Sequence, residues 1–283
     1  RELTVEKSLY YAAKLRLGDD VKDSFIKNKI NEVLNNLNIN RPDLRTKLVG
    51  ELSGGQRKRV SIAVELLNDP TILFLDEPTS PLDPETIEEF LKCIKDLTRI
   101  GTTVIMVTHK PEDLNYSDSV IFLTTKGYHA YYGEKGQHIL DYFNAKDIIG
   151  IYSLLSKDDE VKQWYNKWRN NNPGKGFGEN KLSEIKNSFK ESAFKQWYWL
   201  SKRYLNIKLN DRVNTLLLFF QPIIIGSLVT VIFKDMHLGI MFLLAISAIW
   251  FGVSNAAKEI VGEIPIYKRE RMFNLRITTY LLS

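Results

Sequence analysis

The stretch "DPTILFLDEPTS", residues 69–80, limits what this chain can fold into more than any other. Asp69-Pro70 stops whatever precedes it, because proline lacks an N–H and its ring clashes with a helical turn. Ile72-Leu73-Phe74-Leu75 then runs apolar on both faces, the pattern of a buried parallel strand. Such a strand delivers Asp76 and Glu77 at its carboxyl end, where open α/β sheets bind their ligands. Two carboxylates there suit a metal and a water, and a solvated turn is the plainer alternative.

Just upstream stands "ELSGGQRKRVSIAVELLN", residues 51–68. Ser53 fits a helix N-cap, and Gly54 and Gly55 leave backbone N–H groups uncovered where the helix dipole favours an anion. Val60, Ala63, Val64 and Leu67 continue at helical spacing. Alone, Ser-Gly-Gly reads equally as a loop before a capped helix. An exact Leu-Ser-Gly-Gly-Gln, however, is on average usage an event of order 10⁻³ or less in a chain this size.

In these residues the chain resembles the ABC-type ATPases. Leu52–Gln56 is similar to their signature motif and Ile72–Glu77 to their Walker B strand. Ser80-Pro81-Leu82-Asp83 resembles the D-loop, and Val107-Thr108-His109 the switch-histidine loop, all in family order. Pro81 departs from the Gly or Ala usual there, which removes a backbone donor. No Gly-x-x-x-x-Gly-Lys-Ser/Thr run occurs, and the glycine cluster Pro173–Gly178 follows no apolar strand. Leu3-Thr4-Val5 is similar to the family's sequence just after the glutamine loop, so the reading is an internal piece of a longer polypeptide.

The resemblance implies roles residue by residue. Asp76 would position Mg²⁺, Glu77 would act as general base or orient the attacking water, and His109 would contact the γ-phosphate. Ser53, Gly54, Gly55, Gln56 and Asp83 would contact ATP shared with a second subunit, whose phosphate loop holds it. The implied cofactors are ATP and Mg²⁺. The implied activity is ATP hydrolysis by a dimer, with the residues given inactive by themselves.

The expected fold is a partial α/β P-loop-type ATPase domain at 1–145, followed by the start of an α-helical transmembrane domain at 191–283. Residues 1–70 form a helical block: Thr4 caps a helix carrying Val5, Leu9, Ala13 and Leu17, and a second carries Val21, Phe25, Ile30, Leu34 and Leu37. Residues 71–145 alternate strands and helices, with Asp83 capping a helix closed by Gly101, a strand at 103–108, and a hairpin of 120–124 with 128–132 about Lys126-Gly127. Over 146–190 the patterns blur; residues 156–181 are polar, Asn-rich and glycine-spotted, and the region reads as a linker with one short helix, whose Trp164 and Trp168 form a docking face or pack partly on the core. An aromatic and cationic helix at 191–212 reads as lying along a membrane, with Trp197, Tyr198 and Trp199 near the headgroups.

Residues 213–233 and 238–257 carry no formal charge, and each is long enough to cross a bilayer core of ~30 Å. A buried soluble helix pair is the alternative. Glu263-Ile264-Pro265-Ile266-Tyr267-Lys268-Arg269-Glu270 then resembles the loop after the second span in the G subfamily of ABC exporters, half-transporters of lipids, sterols and drugs. That resemblance implies a coupling segment at 258–274, with Glu263, Arg269 and Glu270 as its contacts, and a third span starting at 275–283. Pro265 predicts a bent or broken element there.

The net charge of +5 does not point to nucleic acid, because the basic residues flank the apolar runs instead of forming one aromatic-interleaved stripe. Lys195, Lys202, Arg203, Lys208 and Arg212 precede the first run, and Lys258, Lys268, Arg269, Arg271 and Arg276 follow the second, which puts both flanks in the cytoplasm. The single cysteine, Cys93, fits a reducing compartment and a packed helix position. The implied partners are a second half-transporter, the lipid bilayer and a hydrophobic small-molecule or lipid substrate. A soluble ABC ATPase acting on DNA or ribosomes, and a membrane-anchored subunit that binds nucleotide without turnover, stay open.

Overall fold

The computed structural model describes residues 2–17, 21–80, 82–157, 161–172, 192–232, 238–271 and 275–283. Pro81, the Pro173–Gly178 cluster and the turn at 234–237 lie outside them, as does the side chain of Arg269.

Three longer helices build the first block: α1 (Val5–Arg16), α2 (Asp23–Asn36) and α4 (Gly54–Leu66), with the single-turn α3 (Pro42–Thr46) between the last two. Thr4 starts α1 by accepting the Lys7 N–H on its hydroxyl at 3.3 Å. Leu9, Ile30, Leu34 and Leu67 are fully buried in the common core, each contributing about 1.5–3 kcal/mol. Phe25, expected inside, is 53% exposed, and its neighbour Ile26 takes the core place. At 100° per residue that shift turns the inward stripe of α2 without breaking it. Arg16 closes the block by forking onto Glu65 at 2.8 and 3.1 Å and donating to the Val64 carbonyl at 2.8 Å. α4 ends where Asp69 turns into the left-handed region (φ +48) ahead of Pro70.

Next come β1 (Ile72–Asp76), α5 (Pro84–Arg99) and β2 (Thr103–Val107), with β1 and β2 parallel and Asp76 opposite Val107. α5 buries Phe90, Leu91, Cys93, Ile94 and Leu97, and Gly101 (φ +106) follows it. Burial pushes the Cys93 thiol up to about 11, as a packed helix position requires. The expectation that β1 is covered on both faces needs correction. Leu73 is buried, but Phe74 on the other face is 71% exposed, because no described element packs there.

β3 (Ser119–Leu123) and β4 (His129–Glu134) make an antiparallel hairpin within a residue or two of the expected bounds, turning at Gly127 (φ +76). β2 and β3 share no ladder, and a cleft of ≈ 380 Å³ is lined by Met106, Val107 and Thr108 on one side and Val120, Ile121 and Phe122 on the other. Behind the hairpin stand α6 (Gln137–Phe143), α7 (Ile148–Leu155) and α8 (Val161–Asn171). The reading of 146–190 as a linker is therefore wrong for its first half. Ile151, Leu155 and Trp164 are buried on the hairpin, with the Trp164 ring 5.0 Å from Phe143. α7 is apolar in its own right, and in α8 Trp164 outweighs the polar residues around it.

His129 belongs to this second core: its ring meets Trp168 at 4.1 Å, and its Nδ1 is buried without a hydrogen-bond partner. Burial holds the imidazole below its ordinary 6.5. The unfolded chain thus takes up a proton that the folded ring resists, and this module loses stability as pH falls through 6.5. Backbone exchange of β4 and α8, corrected for intrinsic rate, should be faster at about pH 5.5 than at pH 7.5, and His129→Phe should flatten the difference. Equal dependence in both proteins would contradict this account.

Three long helices follow: α9 (Ala193–Asn210), α10 (Arg212–Ile232) and α11 (Leu238–Arg271), then the short α12 (Ile277–Leu281). Not all of α9 faces outward as expected. Trp199 packs edge-on against Tyr10 (5.8 Å) and Tyr11 (6.4 Å), and Leu200 is buried with Leu15 and Leu275. Tyr11 and Leu15 give α1 a second apolar face, and α9 covers it. Trp197 donates to the Leu282 carbonyl at 2.7 Å. Val213–Ile232 and Leu238–Ile264 are long and apolar enough to cross a membrane. α11 is one helix of 34 residues, so the expected break at Pro265 is absent. Proline removes a single intrahelical hydrogen bond, and the turns on both sides carry the helix through it.

Candidate functional site

The site grows from the ends of β1 and β2. The Glu77 N–H donates to the Val107 carbonyl at 2.9 Å, carrying the ladder one step past Asp76. Glu77 itself sits at φ +40, a conformation that costs a non-glycine residue about 1–2 kcal/mol. This turn aims its carboxylate across to the next loop, where Glu77 Oε1 lies 3.0 Å from His109 Nδ1. Nδ1 is the ring nitrogen that meets Glu77, which leaves Nε2 for another partner. Both side chains are exposed, 48% and 64%, so a ligand can reach them. Asp76 is exposed beside them.

The second group is the start of α4. Ser53 Oγ accepts the Gln56 N–H at 3.3 Å, and Gln56 Oε1 accepts the Ser53 N–H at 3.2 Å, a reciprocal capping box. The Ser53 hydroxyl proton remains free to donate outward, and the box leaves the N–H groups of Gly54 and Gly55 unused. Asp83 caps α5 by accepting the Thr86 N–H at 3.0 Å, and the Thr86 side chain, together with that N–H, holds its carboxyl below the usual range. Thr86 joins the two helix starts: a Cβ on Gly55 would lie 2.2 Å from Thr86 Cγ2, so only glycine fits. Among the described residues no hydrogen bond connects the Ser53 group to the Glu77–His109 pair.

Of the residues expected to couple, Glu263 accepts the Tyr280 hydroxyl at 3.1 Å, and Glu270 is ion-paired with Arg203 of α9. Four residues near the pair had no task in the sequence reading: Thr79, Thr108, Lys110 and Asp113. Thr79 and Thr108 both donate to Asp113 Oδ2, at 2.7 and 2.6 Å. The signal was there, two threonines beside the motif residues and an acid four positions after His109, but nothing local says they meet.

Asp76 also passes a chemical test as a metal residue. No described group of three or more His, Cys, Asp or Glu could hold an ion alone, whereas Mg²⁺ at phosphate sites takes one or two carboxylates plus phosphate oxygens and water. An exposed strand-end carboxylate fits that demand.

Residues 2–80 match the family model described as ABC transporter. Among curated relatives, the ABC transporter ATP-binding/permease protein Rv1747 of Mycobacterium tuberculosis is 31% identical over 100% of this chain and 34% of its own length. ABC transporter G family member 26 of Arabidopsis thaliana is 36% identical over 52% of this chain and 22% of its own. Member 43 of the same plant is 32% identical over 56% and 13%. A solved structure entitled a dimeric structure of MJ0796, a bacterial ABC transporter cassette, aligns with 47% of this chain and 58% of its own at 26% identity, with a TM-score of 0.41.

Residues 2–80 thus resemble the ABC transporters, and two helices long and apolar enough to cross a membrane follow downstream. Its relatives among G family members are consistent with a G-type half-transporter. It spans at most 34% of the length of the relatives named here.

Proposed function

We propose that the intact polypeptide is an ATP-driven transporter of a hydrophobic or amphipathic substrate, working as a dimer of half-transporters. The observation that carries this is the exposed Glu77–His109 contact of 3.0 Å at the carboxyl ends of two parallel strands. In this reading Glu77 accepts a proton from, or orients, the water that attacks the γ-phosphate, and His109 holds Glu77 through Nδ1 and offers Nε2 toward that phosphate. Asp76 would hold Mg²⁺, which when bound neutralises phosphate charge. The Ser53 hydroxyl and the N–H groups of Gly54 and Gly55 would receive the γ-phosphate of a nucleotide on the partner subunit, with Gln56 and Asp83 keeping those helix starts in place. Both partners are needed for each nucleotide.

A continuous line of contacts supports coupling to the membrane helices. Glu270 of α11 pairs with Arg203 of α9, Leu200 of α9 packs on Leu15 of α1, and Arg16 of α1 grips Glu65 of α4, the helix that Ser53 caps. Glu263, Arg269 and Glu270 are the proposed coupling residues. Movement of α4 on nucleotide capture would reach α11 along this line. The basic flanks put the ATPase on the cytoplasmic side of a multi-pass membrane protein. The test is phosphate release from added ATP by sealed vesicles holding the intact polypeptide. Inside-out vesicles should release phosphate and right-side-out vesicles should not. Release by neither rejects the function, and release by right-side-out vesicles alone rejects the orientation.

A further inference from the structure

We infer that Asp113 is a positioning residue for the Glu77–His109 pair, acting through Thr79 and Thr108; the kinetic side of this rests on the hydrolytic function just proposed. The pair cannot hold itself. Its two side chains are about half exposed, where water competes for a single hydrogen bond, and Glu77 sits at a φ of +40 that persists only if its surroundings impose it. The fastening must lie beneath.

Asp113 is there, with 0% exposure. Its Oδ2 accepts the hydroxyl of Thr79, two residues after Glu77, at 2.7 Å, and that of Thr108, the residue before His109, at 2.6 Å. Lys110 doubles the tie: its Nζ donates to the Thr79 carbonyl at 2.9 Å, and its N–H donates to Thr108 Oγ1 at 3.0 Å. One buried oxygen thus fixes the two loops against each other. The other carboxylate oxygen, Oδ1, is buried without a partner, a cost that a fastening of no consequence would not sustain. Asp113 reaches the reaction only through the two loops.

The test uses the intact polypeptide with Thr108→Val, which keeps shape and loses the hydroxyl, Thr108→Ser, which keeps the hydroxyl, and Asp113→Ala. Two readouts are taken. Hydrogen exchange of the peptide containing the Glu77 amide should quicken at least about tenfold in Thr108→Val and Asp113→Ala, with β1 unchanged and Thr108→Ser like the parent. The kcat for ATP should fall roughly tenfold or more in Thr108→Val with KM within about twofold, since ~1 Å of misplacement costs rate before binding, and Thr108→Ser should restore it. Parental kcat in Thr108→Val, with the parent active, overturns the inference and leaves the proposed function standing. If the parent releases no phosphate, that function falls, and the exchange readout alone decides whether Asp113 positions the pair. Unchanged exchange in both variants overturns it as well.

Discussion

Glu77→Gln should leave ATP binding intact and lower steady-state phosphate release by roughly 10²-fold or more, the usual scale for removing a positioned base. The substitution isolates basicity from shape. Glutamine has the same length, so it fills the same turn at φ +40, and its carbonyl can still accept from the His109 Nδ1 that now lies 3.0 Å from Glu77. What disappears is the ability to take a proton from water. Nucleotide affinity should change by less than about threefold, because Glu77 is not itself among the groups proposed to bind ATP and glutamine keeps the contact to His109. Phosphate release at the parental rate would remove Glu77 from the chemistry and return Asp76-Glu77 to the status of a solvated turn.

Gly55→Ala should destabilise the ATPase segment by about 1–3 kcal/mol, the range for an extra methyl in a filled space, and cut turnover by about tenfold or more. The added Cβ would lie 2.2 Å from Thr86 Cγ2. Thr86 cannot swing away, because its N–H is tied to the Asp83 cap at 3.0 Å and its side chain is branched at Cβ. The starts of α4 and α5 must therefore part, taking the Ser53 cap with them. Thr86→Ser removes the offending methyl, so the double variant should recover most of the lost melting temperature. If Gly55→Ala melts with the parent, glycine is not there for packing. If stability recovers in the double variant but turnover does not, the nucleotide itself needs the bare backbone at Gly55.

The local elements were readable because their signals are local. Thr4, Ser53 and Asp83 each begin a helix by capping it, and Asp69-Pro70 and Gly101 each end one, so short-range hydrogen bonding and φ restrictions sufficed. Of the pair proposed for hydrolysis, Glu77 was readable as a strand-end acid and His109 only through the resemblance, and nothing in their order says that two loops 32 positions apart meet. Asp113 was missed for the same reason. Its partners stand 34 and 5 positions before it, and the acid looks like any other in a short polar turn. Residues 161–171 look polar as a window, yet Trp164 seats α8 on the hairpin, and the short apolar run 148–155 is overshadowed by the polar stretch that follows it. Trp199 was assigned to lipid because its neighbours are cationic, and no pattern within α9 could reveal that Tyr10 and Tyr11 wait for it on α1.

The cleft between β2 and β3 bears on which strands can join them. Among the described residues one edge of each strand has no ladder partner, both strands line the same gap of ≈ 380 Å³, and Phe74, Val107 and Ile121 stand bare on the sheet surfaces. Open edges flanked by uncovered apolar residues pair with whatever extended backbone arrives first, another copy included. β2 and β3 can thus each accept one more strand on the side of the gap, from the same polypeptide or from another.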